Sequence, residues 1–517
     1  MTTLGMLLRV LTAASVLFLR SDCRGGEIPE AKPGERWYIV EIDGRQAGWS
    51  RSVEEAGPGG SLVSRTEMDF TMERMGQRAA VRMRSEFVET ATGEPVRMSS
   101  AQSSGGAETT QTWTFIPGIA GYEVRLESRQ GPDAEPVVTT LEWPGGEWLT
   151  PGKAREFVKR ELAAGSPSFA YETVDPTVGL APVRIEYRRV ERTQAQTPAG
   201  PVNATELEVR NSAVPGATGR DTLDDAGEIV RSEMDFGGLK MVIRASDRAT
   251  ALKPFAPPEL MARTLVTPEG KAIERPRALR RAVYVLSRAD GGAMPDVPSV
   301  GGQRAERLDA GRVRVTVERG RVSLEDPPAA GAEDAALGRS LMIDPQDAAV
   351  GRAVELMESQ LKAAGDVGAA RAPERRAADF VGDYVADDTL DVGLATAVET
   401  ARTRRGDCTE HAVLLAAVLR ARGVGARVAS GLVYVTGPDG RGVFGFHMWT
   451  QARSLDNGRA RWIDCDAAII PEGDEPGVDA THIALGVSVL GEGDVVGAMG
   501  GLAALLGNLK IQVEHAE

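Results

Sequence analysis

Arg404-Arg405-Gly406-Asp407-Cys408-Thr409-Glu410-His411 runs without a break into Ala412-Val413-Leu414-Leu415-Ala416-Ala417-Val418-Leu419, a polar turn followed by eight apolar residues in succession. A helix that is apolar on every side is a buried helix, so this run predicts the central helix of a core. Cys408 falls at the start of that helix. Unpaired backbone N–H groups and the helix dipole favour negative charge there, and a thiolate is stabilised at such a position. Glu410, one turn in, either stabilises the helix end or contacts a site, and both readings stay open.

Working outward, Val350, Val354, Met357 and Leu361 recur at helical spacing, and Phe380, Val381, Tyr384 and Val385 place a second apolar stripe on a helix. A third helix is expected through Ala395 to Arg402. After Gly423 the period drops to two, predicting strands over Ala426 to Tyr434, Phe444 to Ala452 and Ala460 to Cys465. Helices followed by an antiparallel set of strands make the fold class α+β.

The chain has 517 residues, more than one hydrophobic core usually supports, so two to four domains are expected. With 42% hydrophobic and 26% charged residues it has ordinary globular composition. Sixty basic against seventy-four acidic residues give a net charge of −14, which disfavours a general grip on nucleic acid or anionic lipid. Three cysteines, Cys23, Cys408 and Cys465, are too few for a disulfide scaffold, and four histidines leave little material for a multi-ligand metal site.

His447 and Asp466 lie on the strands that follow the Cys408 helix, so the three residues meet only through the fold. A thiolate, a base that later protonates the leaving group, and a carboxylate that orients the imidazole are what nucleophilic acyl transfer requires. Gly406-Asp407-Cys408-x-Glu410, Leu419-Arg420-Ala421-Arg422-Gly423-Val424-x-Ala426-Arg427 and Gly431-Leu432-Val433-Tyr434, followed by His447-Met448-Trp449 and Trp462-Ile463-x-x-Asp466-Ala467, resemble the transglutaminase-like superfamily. The resemblance implies a papain-like core with a Cys-His-Asp triad, carried here by Cys408, His447 and Asp466, and covers roughly Asp344 to Glu517. Thr481-His482-Ile483 is similar to a segment common in bacterial members. Gly425, Met448 and Ala467-Ala468 depart from the family's usual residues at turns and packing positions.

Alternation puts Asp464 and Asp466 on one strand face, and the family's usual spacing from the tryptophan favours Asp466 as orienter. His411 is a rival base, but helix geometry aims its ring along the surface it shares with Cys408. Cys465 beside two aspartates has no recognised metal spacing, so neither metal nor cofactor is expected. His482 and His515 read as structural or solvent-exposed.

The rest of the chain sets the domain plan. Residues 1–26 read as an export signal, with Arg9 ahead of a short apolar run from Val10 to Leu19, against a cytosolic leader as the minority reading. Residues 27–250 form a β-rich region, 251–326 a small β module, 327–343 a linker, and 344–517 the transglutaminase-like domain. In the β-rich region Trp37 to Ile42, Asp43-Gly44 and Arg45 to Trp49 predict a hairpin. Arg65-Thr66-Glu67-Met68-Asp69-Phe70 is echoed by Arg231-Ser232-Glu233-Met234-Asp235-Phe236, as two related units would require. Val495 to Leu506 reads as a buried helix rather than a membrane span.

The expected function is cysteine acyl transfer or amide hydrolysis on a peptide or protein substrate, by an exported periplasmic or extracellular protein with no integral membrane span. A cysteine peptidase-like hydrolase is the near alternative. A non-catalytic surface or periplasmic interaction protein is the distant one. Oligomeric state and the choice between water and amine as second substrate have no signature in the sequence.

Overall fold

The structure is a computed structural model that describes residues 34–74, 77–104, 108–119, 121–131, 135–214, 217–236, 239–259, 265–325, 335–340, 342–364, 372–388, 395–437, 439–456, 459–474, 476–491, 505 and 507–517. The expected export signal and the helix expected over Val495 to Leu506 lie outside the described residues, apart from Leu505. Among the described residues no helix is long and apolar enough to cross a membrane. The chain divides into two compact units, one reaching Glu259 and the other running from Leu260 to Glu517.

The N-terminal unit is built on one antiparallel sheet of fourteen strands. Eight strands from Glu35–Ile42 to Val137–Leu141 follow one another as neighbours, and six from Ser168–Asp175 to Leu239–Ser246 do the same. The two runs join where Leu239–Ser246 pairs with Glu35–Ile42, Trp37 opposite Ser246. Asp43 and Gly44 close the first hairpin with positive φ at both residues, 48° and 74°, which is what a two-residue turn of this hand requires.

Both echoed hexapeptides are strands of this one sheet, within Leu62–Arg74 and Ile229–Phe236. Their common pattern is strand alternation. Met68, Phe70 and Met234 are buried, while Asp69 pairs outward with Arg82 at 2.7 Å and Glu233 with Arg231 at 2.9 Å.

The β-rich region also holds a helix that no sequence signal above places, Pro151–Ala164. Proline is at home in the first helical position, and Gly165 closes the helix in the left-handed conformation at φ 70°. Ala154, Val158 and Leu162 repeat every fourth residue and form its buried face.

In the C-terminal unit the helix Cys408–Ala421 is buried at every position from Thr409 to Arg420. The helices Ala348–Ala364, Pro373–Tyr384 and Ala397–Thr403 accompany it, at the three places where the sequence predicts helices. Five strands form one sheet in the order Ser323–Glu325, Arg459–Cys465, Gly442–Asp456, Ala426–Thr436, Ile483–Ser488. A second sheet carries Arg281–Arg288 and Arg312–Glu318, the strands of the expected small module. Arg281–Arg288 pairs there with the C-terminal strand Leu509–Ala516, so this segment shares a compact unit with the cysteine helix.

Asp175, at the end of a strand in the N-terminal unit, is raised by burial to about 6, against the Thr177 amide and hydroxyl that bond its Oδ1. A carboxyl held protonated in the fold stabilises it fully below its unfolded value of 3.8, and that contribution is lost as pH rises through about 6. Urea unfolding of the full chain is expected to lose on the order of 2–3 kcal/mol from this residue between pH 4 and pH 7, and Asp175→Asn to remove that part of the slope. An unchanged slope in the variant would refute the assignment.

Candidate functional site

Asp407 caps the cysteine helix: its side chain accepts from the Thr409 amide at 2.9 Å, while Glu410 reaches back to the Asp407 amide at 2.9 Å. This capping box satisfies helix-end donors that would otherwise be buried and unpaired. The other Glu410 oxygen accepts from the Ala395 amide at 2.8 Å, so Glu410 ties the helix start to the segment before it. Burial, with the charge of Asp407 beside it, pushes the Glu410 carboxyl well above the usual range. Gly406, at φ 148°, leaves the room this needs, because a Cβ there would stand 2.3 Å from Glu410 Cβ. The result is a rigid turn that presents Cys408 as the first residue of the helix, half-buried and unbridged.

His447 lies on the central strand Gly442–Asp456, opposite Gly431 of the neighbouring strand. The same strand is pinned to the cysteine helix by Thr450, whose hydroxyl donates to the Ala412 carbonyl at 2.8 Å. His447 Nε2 stands 2.5 Å from Asp466 Oδ2, just past the end of the strand Arg459–Cys465. With Nε2 committed to Asp466, Nδ1 is the nitrogen left for the hydrogen bond between His447 and the Cys408 side chain. Burial alone would lower the His447 pKa, but the charges of Asp466 and Cys408 and hydrogen bonds to both raise it to about 10.

Cys408, His447 and Asp466 therefore meet, while the rival groups face elsewhere. His411 Nδ1 sits 2.8 Å from the Asp407 carbonyl of its own helix. Asp464 accepts from Trp449 Nε1 and Gln451 Nε2, both at 2.8 Å, and from the Gly302 amide at 2.8 Å. Trp449 in turn stacks on His447, ring centroids 6.1 Å apart. Asp464 thus holds the indole beside the imidazole that Asp466 holds directly. Cys465 is buried, and burial pushes its thiol well above the ordinary value. His515, half-buried, stands 3.1 Å from Glu517.

His482, expected to be structural or exposed, is buried and points into the site. Its Nε2 lies 3.0 Å from the same Asp466 Oδ2, and its Nδ1 lies 3.2 Å from the Asp479 carbonyl. The Asp479 carboxylate is itself held by Arg277 at 2.8 Å. Burial would raise the Asp466 carboxyl, but the charges and hydrogen bonds of His447 and His482 hold it well below the usual carboxylate range. Only its place in the Thr481-His482-Ile483 segment marked His482 in the sequence; the Asp466 carboxylate it shares with His447 lies 16 residues back.

The ligating atoms of His447, Asp466 and His482 lie within 4.8 Å of one another, a spacing a metal ion could exploit. Two ligands on a tetrahedral zinc stand about 3.3 Å apart, from bond lengths of about 2.0–2.1 Å. His447 Nε2 and Asp466 Oδ2, 2.5 Å apart, are closer than two ligands of one zinc and share a short hydrogen bond.

Residues 363–467 match the model of the transglutaminase-like superfamily. The chain carries a transglutaminase-like domain. No curated protein matches the sequence. Among solved structures, the chain is similar to a candidate cysteine protease of Cytophaga hutchinsonii at 12% identity and a TM-score of 0.22, over 46% of this chain and 89% of that one. It is also similar to a beta-barrel-like protein of a domain of unknown function from Brucella abortus, at 10% identity and a TM-score of 0.31, over 41% of this chain and 94% of that one. MucB matches at 12% identity and a TM-score of 0.16, over 55% of this chain and 86% of that one.

The transglutaminase-like site makes a spectroscopic prediction. In imidazole ¹⁵N NMR, His447 should titrate near pH 10, and Asp466→Asn should lower its midpoint, because burial is then opposed by Cys408 alone. A midpoint that stays near 10 in the variant would assign the shift to something other than Asp466.

Proposed function

We propose that the transglutaminase-like domain is a cysteine acyltransferase or amidase that acts on peptide or protein amides through a Cys408 thioester. What carries the reading is the division of His447 between two partners, Nε2 on Asp466 and the other nitrogen on Cys408. Cys408 Sγ, its proton held on His447, attacks the amide carbonyl. His447 then delivers that proton to the departing nitrogen, and the C–N bond breaks to leave a thioester and a free amine or ammonia. In the second half, water or an amine attacks the thioester, His447 takes its proton, and the carboxylic acid or new amide leaves as Cys408 is restored.

Asp466 orients the imidazole and stabilises its charged form without being protonated. Cys408 is half-buried, whereas His447, Asp466 and His482 are 4%, 3% and 2% exposed. Export to the periplasm or beyond is part of the proposal, motivated by the charged and apolar N-terminal run. Hydrolysis by a peptidase-like route differs only in the second nucleophile.

The test offers a peptide library to the full chain with and without a small primary amine, and follows ammonia release and amine incorporation by mass spectrometry. Incorporation identifies transfer, and cleavage or release without it identifies hydrolysis. Cys408→Ala is expected to abolish both, and His447→Ala to lower the rate by about 10²–10⁴. In parallel, iodoacetamide at neutral pH should label Cys408 faster than a free thiol, with buried Cys465 protected. A Cys408 of ordinary reactivity that is indifferent to His447→Ala would sink the enzymatic reading and favour an interaction protein.

A further inference from the structure

The N-terminal unit holds a partly open cavity of about 270 Å³ between the helix Pro151–Ala164 and strands from both runs of its sheet. That is close to the lower bound of small-molecule sites, about 300 Å³. Much of its wall is apolar, including Val158, Val209, Leu223 and Met234.

Its polar lining is unevenly provided for. The two arginines are already spent on carboxylates: Arg36 pairs with Glu228 at 2.7 Å, and Arg155 pairs with Glu54. The two aspartates, Asp175 and Asp221, have hydroxyl and amide partners instead: Thr177 for the first, and for the second the Ser232 hydroxyl of the neighbouring strand and the Tyr187 hydroxyl, which donates to Asp221 Oδ2 at 3.0 Å. Asp221 Oδ1 and Ser64 Oγ, on residues 5% and 3% exposed that both line the cavity, have no hydrogen-bond partner among the described residues. Buried polar atoms are rarely left so, because each orphan costs the desolvation it never recovers.

We propose that this cavity is a binding site for a small organic cation, a primary amine carrying a short apolar body. The ammonium supplies three donors, which is what orphaned Asp221 Oδ1 and Ser64 Oγ lack, and its charge meets a lining whose arginines are neutralised and whose aspartates are not. The rings of Tyr171 and Tyr187 add aromatic faces to the same lining, a surface that attracts cations. Val158, Val209, Leu223 and Met234 bury the apolar body. A carboxylate of the same size would meet the aspartates and the paired glutamates and be refused. Burial pushes the Asp221 carboxyl above its ordinary value, and an ammonium beside it would favour the ionised form. The site lies wholly in the N-terminal unit and is independent of the reaction proposed for Cys408.

The test uses the full chain carrying Cys408→Ala, so that an amine cannot be consumed, and titrates it by calorimetry with n-hexylamine, 1-hexanol and hexanoate at constant ionic strength. Saturable one-to-one binding of hexylamine at least tenfold tighter than hexanol, with hexanoate silent, is expected. Asp221→Asn should weaken hexylamine at least tenfold and leave hexanol unchanged. Should that variant not fold, Ser64→Ala, which keeps the cavity's shape, should weaken hexylamine severalfold. Hexanoate binding as tightly as hexylamine, hexylamine affinity unmoved by either substitution in folded protein, or no binding of any probe at millimolar concentration would each overturn the proposal.

Discussion

The Asp466 carboxylate accepts four hydrogen bonds in a place water does not reach: His447 and His482 on Oδ2, and the Ala468 and Ile469 amides on Oδ1. A buried carboxylate is tolerable only when its lone pairs are satisfied and opposite charge stands close, and much of the surrounding structure meets that demand. The chain turns immediately after the strand Arg459–Cys465 so that two successive amides face back onto Oδ1. The segment Asp479 to His482 folds so that an imidazole reaches Oδ2, and Arg277 reaches Asp479 from a distant part of the chain. What this fixes is the tautomer of His447. A proton on Nε2 facing Asp466 leaves Nδ1 for the sulfur, so the carboxylate decides which ring nitrogen meets Cys408.

A second tier keeps the first from swinging. Trp449, two residues along from His447, stacks on it, and its indole N–H is fixed by Asp464. Gln451 reaches the same Asp464 oxygen, and Arg427 in turn donates to Gln451 at 2.8 Å while its guanidinium lies 4.0 Å over the Trp462 ring. Two aspartates two residues apart therefore perform different tasks. Asp466, beyond the last paired residue of its strand, is free to turn onto the imidazole, whereas Asp464 stays in register opposite Gln451 and holds packing in place.

How much of this could be read in the sequence follows from how local each feature is. The cysteine helix was legible because the all-apolar run from Ala412 to Leu419 and the Asp407 to Glu410 cap are contiguous, and the three preceding helices and three following strands were legible from period. Cys408, His447 and Asp466 were legible through a family pattern. His482 was not, since a lone histidine carries no sign of the carboxylate it will share. The helix Pro151–Ala164 was not legible either, since it sits inside a long run of strands and turns. Pairing between remote strands was invisible for a deeper reason: alternation says which face is buried but not which strand lies alongside. Neither Leu239–Ser246 beside Glu35–Ile42 nor Leu509–Ala516 beside Arg281–Arg288 leaves any local trace.

The sharing of Asp466 also bears on how one imidazole serves as base and then as acid. Cys408, His447, Asp466, His482, Asp479 and Arg277 form a line in which groups able to carry negative and positive charge alternate. The His447 proton is held by Asp466 and by Cys408 together, which is why its pKa reaches about 10. On the acyl-transfer reading, attack turns the sulfur into a neutral thioester, so one of the two supports disappears at the step in which the proton must leave. The other support is divided, because Oδ2 also serves His482. An undivided carboxylate would hold the imidazolium harder and slow its donation to the departing nitrogen. His482 is therefore better placed as a moderator of Asp466 than as a second base, and Asp479 with Arg277 keeps it in that position.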